Sequence, residues 1–233
     1  MTYLGIMFDN EKHTYDDFKL RIKSVHIGMP ETKESKLELP GADGYLDMTD
    51  YFGTRYENRE IEIECDIEDR GYDNWVYVIS QISNYLHGKK RKIVLDWDAC
   101  FYYVGRGACE YDKDNRIYSN IVLRFDCEPY KYEITASDED WLWDPFNLEN
   151  GVIREYGNIA VSGNKTVTVI GSPMPVVPKF IASGAMTLTF EGEQYELKRG
   201  ENYFPDLEIK DGEHQLYFSG NGTVSIIYRG GSL

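Results

Sequence analysis

A chain of 233 residues is long enough for one large all-β domain or two smaller domains, each with its own core. Aromatics make up 14% of it, with 19 Tyr and 4 Trp, the composition of a folded protein rich in β-formers rather than a disordered one. The formal net charge of −15 disfavours tight binding to a phosphate backbone, which relies on clustered Lys and Arg, although a polyanion can still pass such a surface without sticking.

Tyr3 to Phe8 and Leu20 to Ile27 read as strands, joined by the polar link Asp9 to Asp17. Residues 30 to 40, PETKESKLELP, are charged, bounded by prolines and without helical period. They read as a long exposed loop or a protruding hairpin arm. Turn signals follow at Pro40-Gly41 and Asp43-Gly44. Past the aromatics Tyr51, Phe52 and Tyr56 and the dipeptide Asn58-Arg59, Ile61, Ile63, Cys65 and Ile67 alternate with Glu62, Glu64, Asp66 and Glu68. That period of two belongs to a half-buried antiparallel strand. The stretch from Leu39 to Glu64 is therefore a loop presented on a rigid strand, which suits a contact surface better than a pocket.

One helix is expected from Asp73 to Leu86, capped by Asp73, with Trp75, Val78, Ile79, Ile82 and Leu86 forming a stripe laid on a sheet. Gly88 ends it, and the basic run Lys89 to Lys92 suits the helix dipole. Residues 92 to 106 and 117 to 130 are strands around a turn at Asp112 to Asn115, with Ile121, Leu123, Phe125 and Cys127 on one face. Residues 1–135 thus form an α+β domain. Residues 136–151, acidic and holding Trp141 and Trp143, read as a connector. From Val152 onward short strands repeat: Thr166 to Ile170, then Met186, Leu188 and Phe190, then Gln194 to Leu197 after the turn Glu191-Gly192. Leu216 and Phe218 lead into Gly220-Asn221-Gly222, read as a hairpin turn, and Val224, Ile226 and Tyr228 lead out. Residues 152–233 are expected to be a β-sandwich.

The chemistry-bearing residues do not assemble into a familiar centre. His13, His26, His87 and His214 stand far apart, and there is no H-E-x-x-H, no G-x-S-x-G, no phosphate-cradling loop and no dinucleotide fingerprint. An enzyme, a metal site or a cofactor has no residue set to rest on. Asp96 and Asp98 read as a turn-facing acidic pair rather than an acid and a base. Asp112, Asp114 and Asn115 read as a hairpin turn, since the Gly and closing Glu of a calcium loop are missing. Tyr195, Tyr203 and Phe204 are either core aromatics or an outward docking or sugar-stacking surface. Cys65 and Cys127 fall on the apolar phase of strands and read as buried free thiols, while Cys100 and Cys109 flank a hairpin and could approach one another. The opening MTYLGIMFDN lacks the layout of a secretory leader, so synthesis in a cytoplasm is expected and a structural disulfide is not. No apolar run approaches the ~18 residues that cross a bilayer.

An ordered set of pieces in the first 132 residues resembles a known family: Phe8, the DDF of Asp16 to Phe18, the PG-x-DG-x-LD of Pro40 to Asp47 and the Y-x-NRE of Tyr56 to Glu60. Trp75 then opens the helix that closes on the LHG of Leu86 to Gly88, followed by YYVGR from Tyr102 to Arg106 and C-x-PYKY from Cys127 to Tyr132. The chain resembles the distal tail protein (Dit) family, a phage tail component of the long-tailed siphophages that infect Gram-positive bacteria. The C-terminal half is similar in size, strand pattern and the Gly220 to Tyr228 hairpin rather than by motif.

The resemblance implies a mostly β fold: a tail-tube-like α+β sandwich or barrel with one helix, followed by a galectin-like β-sandwich. It implies a non-enzymatic structural protein, made in the host cytoplasm of a free phage or a prophage and located in the virion at the tail tip or baseplate. Six copies would form a homohexameric ring coaxial with the tail tube. The ring would join the tail tube protein to a tail-associated hub protein (tail lysin-like), with receptor-binding or side-fibre proteins docking on the outward C-terminal domain. No cofactor, specific nucleic-acid binding or membrane is implied; DNA passes through the channel. Inter-subunit contacts are expected at Lys33, Lys36, Pro40, Gly41, Asp43, Gly44, Tyr56, Asn58 and Arg59, and outward docking at Tyr195, Tyr203 and Phe204. Replacing Arg59 with Glu is expected to impair assembly while leaving the monomer folded. The galectin sugar site uses a Trp with nearby His, Asn and Arg, whereas this chain has no Trp after residue 151 and only His214 there. A second reading is a carbohydrate-binding module of a cell-wall-directed protein, with Tyr203 or Trp143 carrying the sugar.

Overall fold

The structure, a computed structural model, describes residues 4–41, 43–67, 71–113, 119–140 and 152–233. The chain divides into two compact units, Met1–Asp98 with Tyr103–Pro129, and Ala99–Tyr102 with Tyr130–Leu233.

The first unit is built from strands β1 (Ile6–Phe8), β2 (Lys12–His13), β3 (Leu20–Ile27), β4 (Lys36–Leu37), β5 (Leu46–Asp47), β6 (Arg59–Ile67), β7 (Lys90–Leu95), β8 (Phe101–Asp112) and β9 (Asn120–Cys127), with helices α1 (Thr49–Phe52) and α2 (Tyr72–Leu86). Antiparallel pairing orders seven of these strands β2-β1-β7-β8-β9-β6-β3, while β4 and β5 form a ladder of their own. The alternation read around Ile61 is realised on β6: Ile61, Ile63, Cys65 and Ile67 are buried. Phe8 on β1 and Phe125 on β9 have ring centroids 5.7 Å apart, although β7 and β8 lie between their strands. A flat sheet would hold them ~14 Å apart at about 4.8 Å per strand, so this sheet curls around its core.

Helix α2 begins at Tyr72, and Gly71 rather than Asp73 occupies its N-cap position. Its stripe is otherwise as read: Val78, Ile79, Ile82 and Leu86 are buried against the sheet and Trp75 packs at the rim. The basic residues beyond it serve the last turn, whose carbonyls lack intrahelical donors. Lys89 Nζ donates to the Asn84 carbonyl at 2.6 Å and Arg91 Nη2 to that of Tyr85 at 2.9 Å. The link from Asp9 to Asp17 contains β2, too short to show a period in sequence. Asp96 and Asp98 lie in a single 3-10 turn, where Asp96 Oδ2 accepts from Gly5 N at 2.7 Å. The turn between β8 and β9, with Asp114 and Asn115, lies outside the described residues.

The second unit adds β10 (Lys131–Glu133), β11 (Ile159–Ile170), β12 (Lys179–Ala182), β13 (Met186–Phe190), β14 (Glu193–Leu197), β15 (Gly200–Tyr203), β16 (Glu213–Ile227) and β17 (Gly231–Ser232). Six of them form one antiparallel sheet, β14-β13-β16-β12-β15 with β11 also on β16. Strand β10 pairs with β17 and with Phe101 and Tyr102. Ser137, in the stretch read as a connector, is buried: its hydroxyl donates to the Ile226 carbonyl at 2.7 Å and accepts from Tyr228 N at 2.8 Å. Trp141 and Trp143 lie outside the described residues.

The hairpin expected at Gly220-Asn221-Gly222 does not form. β16 runs through these residues, paired with β11 from Ile170↔Glu213 to Ile159↔Val224. The glycines answer a different need. With φ of 146° and 143° they adopt backbone that side chains disfavour, and a Cβ on Gly220 would lie 2.6 Å from Met186 Cβ. Here β16 passes from its ladder with β13 to its ladder with β12. Phe180, opposite Ile226, has its ring 6.4 Å from that of Phe218, whereas eight extended residues would span ~26 Å. The sheet therefore folds over on itself at these glycines, and the two halves enclose a sandwich core of Val169, Phe180, Leu188, Leu216, Phe218 and Ile226.

Candidate assembly surface

Beyond Ile27 and Arg59 the two chain runs of β3 and β6 continue side by side as an arm. Gly28 N donates to the Glu60 carbonyl, Glu57 N to that of Glu31 and Lys33 N to that of Arg55, each at 2.8 Å, and Thr32 bridges Tyr56. Farther out Met48 N bonds the Ser35 carbonyl at 2.7 Å and β4 pairs with β5. Asp47 accepts from Thr49 N at 2.9 Å, and the Thr49 hydroxyl, with that N–H second, lowers the pKa of its carboxyl below the ordinary value. Gly41 and Gly44, at φ of 83° and 78°, turn the tip as their dipeptides foretold. The arm reading of residues 30 to 40 thus takes the hairpin form.

Pro40, Gly41, Asp43 and Gly44 are exposed at that tip. Lys33 and Lys36 are exposed on the shaft, Lys33 paired with Glu57 at 3.6 Å, Lys36 paired with Glu34 and lying 4.5 Å over the Tyr45 ring. Tyr56 is half-buried at the base, and Asn58 Nδ2 donates to Asp126 Oδ1 at 2.8 Å. Arg59 differs from the surface residue expected. It is 3% exposed, its guanidinium lies 5.6 Å from the Tyr103 ring, and Nε and Nη2 have no hydrogen-bond partner. The reason is the strand phase: Arg59, Ile61 and Ile63 share the inward face of β6.

The residues that sequence reasoning passed over are apolar. Met29, Leu37, Leu39, Tyr45, Leu46 and Tyr51 are between 46% and 79% exposed on this one projecting element. Large apolar side chains gathered on a projection mark an interaction surface. On the outward phase of the sheet Glu60, Glu62 and Glu110 converge on Arg124, at 3.7, 2.7 and 2.5 Å.

In the second unit the rings of Tyr195 and Phe204 are 4.9 Å apart, and Phe204 lies 6.3 Å from Phe180, so both serve the rim of the sandwich core. Tyr195 OH also donates to Asp206 at 3.2 Å. Tyr203, on the other phase of β15, is exposed. The three aromatics therefore do not share one platform.

The other polar groups are spent on structure. His13 Nε2 is bonded to Asp96 Oδ2 at 3.1 Å and His214 Nε2 to the Lys210 carbonyl at 3.0 Å. Among the described residues no group of three His, Cys, Asp or Glu side chains could hold a metal ion. All four cysteines are free, and burial pushes the thiols of Cys65 and Cys127 up to about 12. Among the described residues no helix is long and apolar enough to cross a membrane.

A mostly β chain with a curled sheet and one packed helix in its first unit, and a folded-over sheet in its second, has the fold of phage distal tail proteins. The likeness covers 100% of this chain and 100% of the SPP1 Dit (gp 19.1) protein, whose crystal structure is described as a paradigm of the hub adsorption apparatus in phages infecting Gram-positive bacteria. The TM-score is 0.60 and the sequence identity 14%, so what the two share is the fold. No family model matches the chain, and no curated protein matches it in sequence.

Proposed function

We propose that this chain is a structural component of a phage tail, forming a ring at the distal tip that joins the tail tube to the hub and adsorption apparatus. The full-length fold likeness to SPP1 Dit carries the reading. In it the first unit builds a homohexamer, with the arm from residue 28 to 60 reaching the next subunit. The second unit faces outward for a receptor-binding or side-fibre protein, with Tyr203 as its exposed aromatic. The arm supports this role, because an extended element with uncovered apolar residues provides the unlike surfaces that a head-to-tail ring requires. Six copies at −15 each amount to about −90, and a channel of that sign lets DNA pass without adhering. The role is structural, requires no cofactor and belongs to the virion.

Light scattering with electron microscopy tests it. The expected species is a ring near 162 kDa, six times the 27.0 kDa chain. A Leu37→Asp/Leu46→Asp arm variant is expected to stay monomeric with its melting curve unchanged. A wild-type chain monomeric at every concentration, or an arm variant that forms normal rings, refutes the proposal.

A further inference from the structure

An arm that grips needs a surface to grip, and the first unit carries a second uncovered apolar face. Helix α2 turns Tyr72, Val76 and Tyr77 to solvent, at 50%, 56% and 61% exposure. The patch continues past the helix: Tyr111 is exposed and edge-on to Trp75 at 6.0 Å, and Lys113 Nζ lies 5.0 Å over the Tyr72 ring. The helix is also short of charge. Asp73 is its only charged residue in fifteen, in a chain of which 28% is charged. A solvated helix face ordinarily carries charge, and about four charged residues would be expected at that frequency.

Arm and helix complement each other in charge as well. Residues 29 to 57 hold seven acidic and three basic side chains, whereas Lys113, with its Nζ over the Tyr72 and Trp75 rings, places a cation at the α2 face. We infer that the arm of one copy lies along the outward face of α2, from Tyr72 to Tyr77, on a second copy of this chain. The inference rests on the ring reading and names the acceptor surface within it. The six exposed side chains of the arm uncover ~100 Å² each, roughly 600 Å² together, approaching the ~800 Å² per partner of a stable interface. A second copy is the occupant that closes this balance: donor and acceptor surfaces are present once per chain, so a closed head-to-tail ring covers every arm and every helix.

Mixing two variants tests it. Val76→Glu/Tyr77→Glu disables the acceptor and Leu37→Glu/Leu46→Glu the donor, all at exposed positions, with folding checked by circular dichroism and melting. Tyr77→Glu alone carries the test if the double acceptor variant disturbs the helix. Each variant alone is expected at 27.0 kDa, and the equimolar mixture at about 54 kDa and no larger, because one arm and one helix remain intact between the two. An acceptor variant that assembles as wild type overturns the inference and leaves the ring reading standing. Two monomeric variants that do not combine also overturn it. A wild-type chain that never assembles overturns both.

Discussion

Arg59→Glu separates a core residue from a contact residue. The wild-type guanidinium is 3% exposed over Tyr103, with Cys127 opposite it on β9. A carboxylate there would be a buried charge with no cation in place, which costs about 3–5 kcal/mol, and it forfeits a cation–π contact of up to about 2 kcal/mol. Arg59→Met should behave differently. It also loses the ring contact, but it removes two donors, Nε and Nη2, that have no acceptor, so its net cost should stay within about 1–2 kcal/mol. At roughly 2–4 °C per kcal/mol for a chain of this size, the first unit should melt about 10–20 °C lower in the Glu variant and within several degrees of wild type in the Met variant. Differential scanning calorimetry with a urea titration reads both. Equal, small shifts would place Arg59 at the surface and refute the argument from strand phase.

Three further outcomes follow from the second unit and the thiols. Gly220→Ala, forced to φ 146° with its Cβ 2.6 Å from Met186 Cβ, should cost the sandwich about 3–5 kcal/mol, whereas Gly163→Ala, at φ 73° with nothing within 4 Å, should cost about 1–2, as calorimetry would show. Ser137→Ala leaves the Ile226 carbonyl and Tyr228 N–H with no partner and should cost about 1–3 kcal/mol in a urea titration. The thiols of Cys65 and Cys127 are pushed up from about 9 to about 12 by burial, so the folded chain keeps protons that the unfolded chain loses. Their contribution to stability is complete below pH 9 and declines as pH rises toward 12. A Cys65→Ala/Cys127→Ala chain should therefore lose stability less steeply than wild type between pH 9 and 11 in urea titrations; equal slopes would refute the assignment.

Where a pattern is local, the sequence showed it. The alternation of Ile61, Ile63 and Cys65 and the stripe from Val78 to Leu86 depend on side-chain periods of 2 and 3.6, which any neighbour must respect. Gly220-Asn221-Gly222 misled because a glycine pair reports only that unusual backbone is permitted. Whether the chain turns back or bends through depends on what lies beside it, here Met186 and Ser183, more than thirty residues earlier. Arg59 misled in the opposite way: its position on the inward phase was legible, but its charge argued for the surface. The arm was legible as a projection from its prolines and charges, while the exposure of Leu37, Leu39 and Leu46 was not, since in sequence a leucine beside charges reads equally as half a buried strand.

Among the described residues no group of His, Cys, Asp or Glu side chains could hold a metal ion, and buried polar groups such as Ser137 and His13 are bonded within the fold. What departs from a self-sufficient monomer is the distribution of apolar surface. The first unit buries a complete core and still leaves six large apolar side chains on an arm and three on a nearly uncharged helix face. At about 25 cal/mol per Å², the roughly 600 Å² on the arm alone represents about 15 kcal/mol of uncovered apolar surface, comparable to the net stability of a whole domain. Bringing two partners together costs a comparable amount, about 4–15 kcal/mol, so the proposed association turns on how well the two surfaces fit rather than on area alone. A chain at −15 resists random self-association through repulsion, so the contacts that do form must lie where charge is sparse and geometry matches. The face of α2 from Tyr72 to Tyr77 is such a place, and the arm, acidic overall, presents its apolar side chains between its charges.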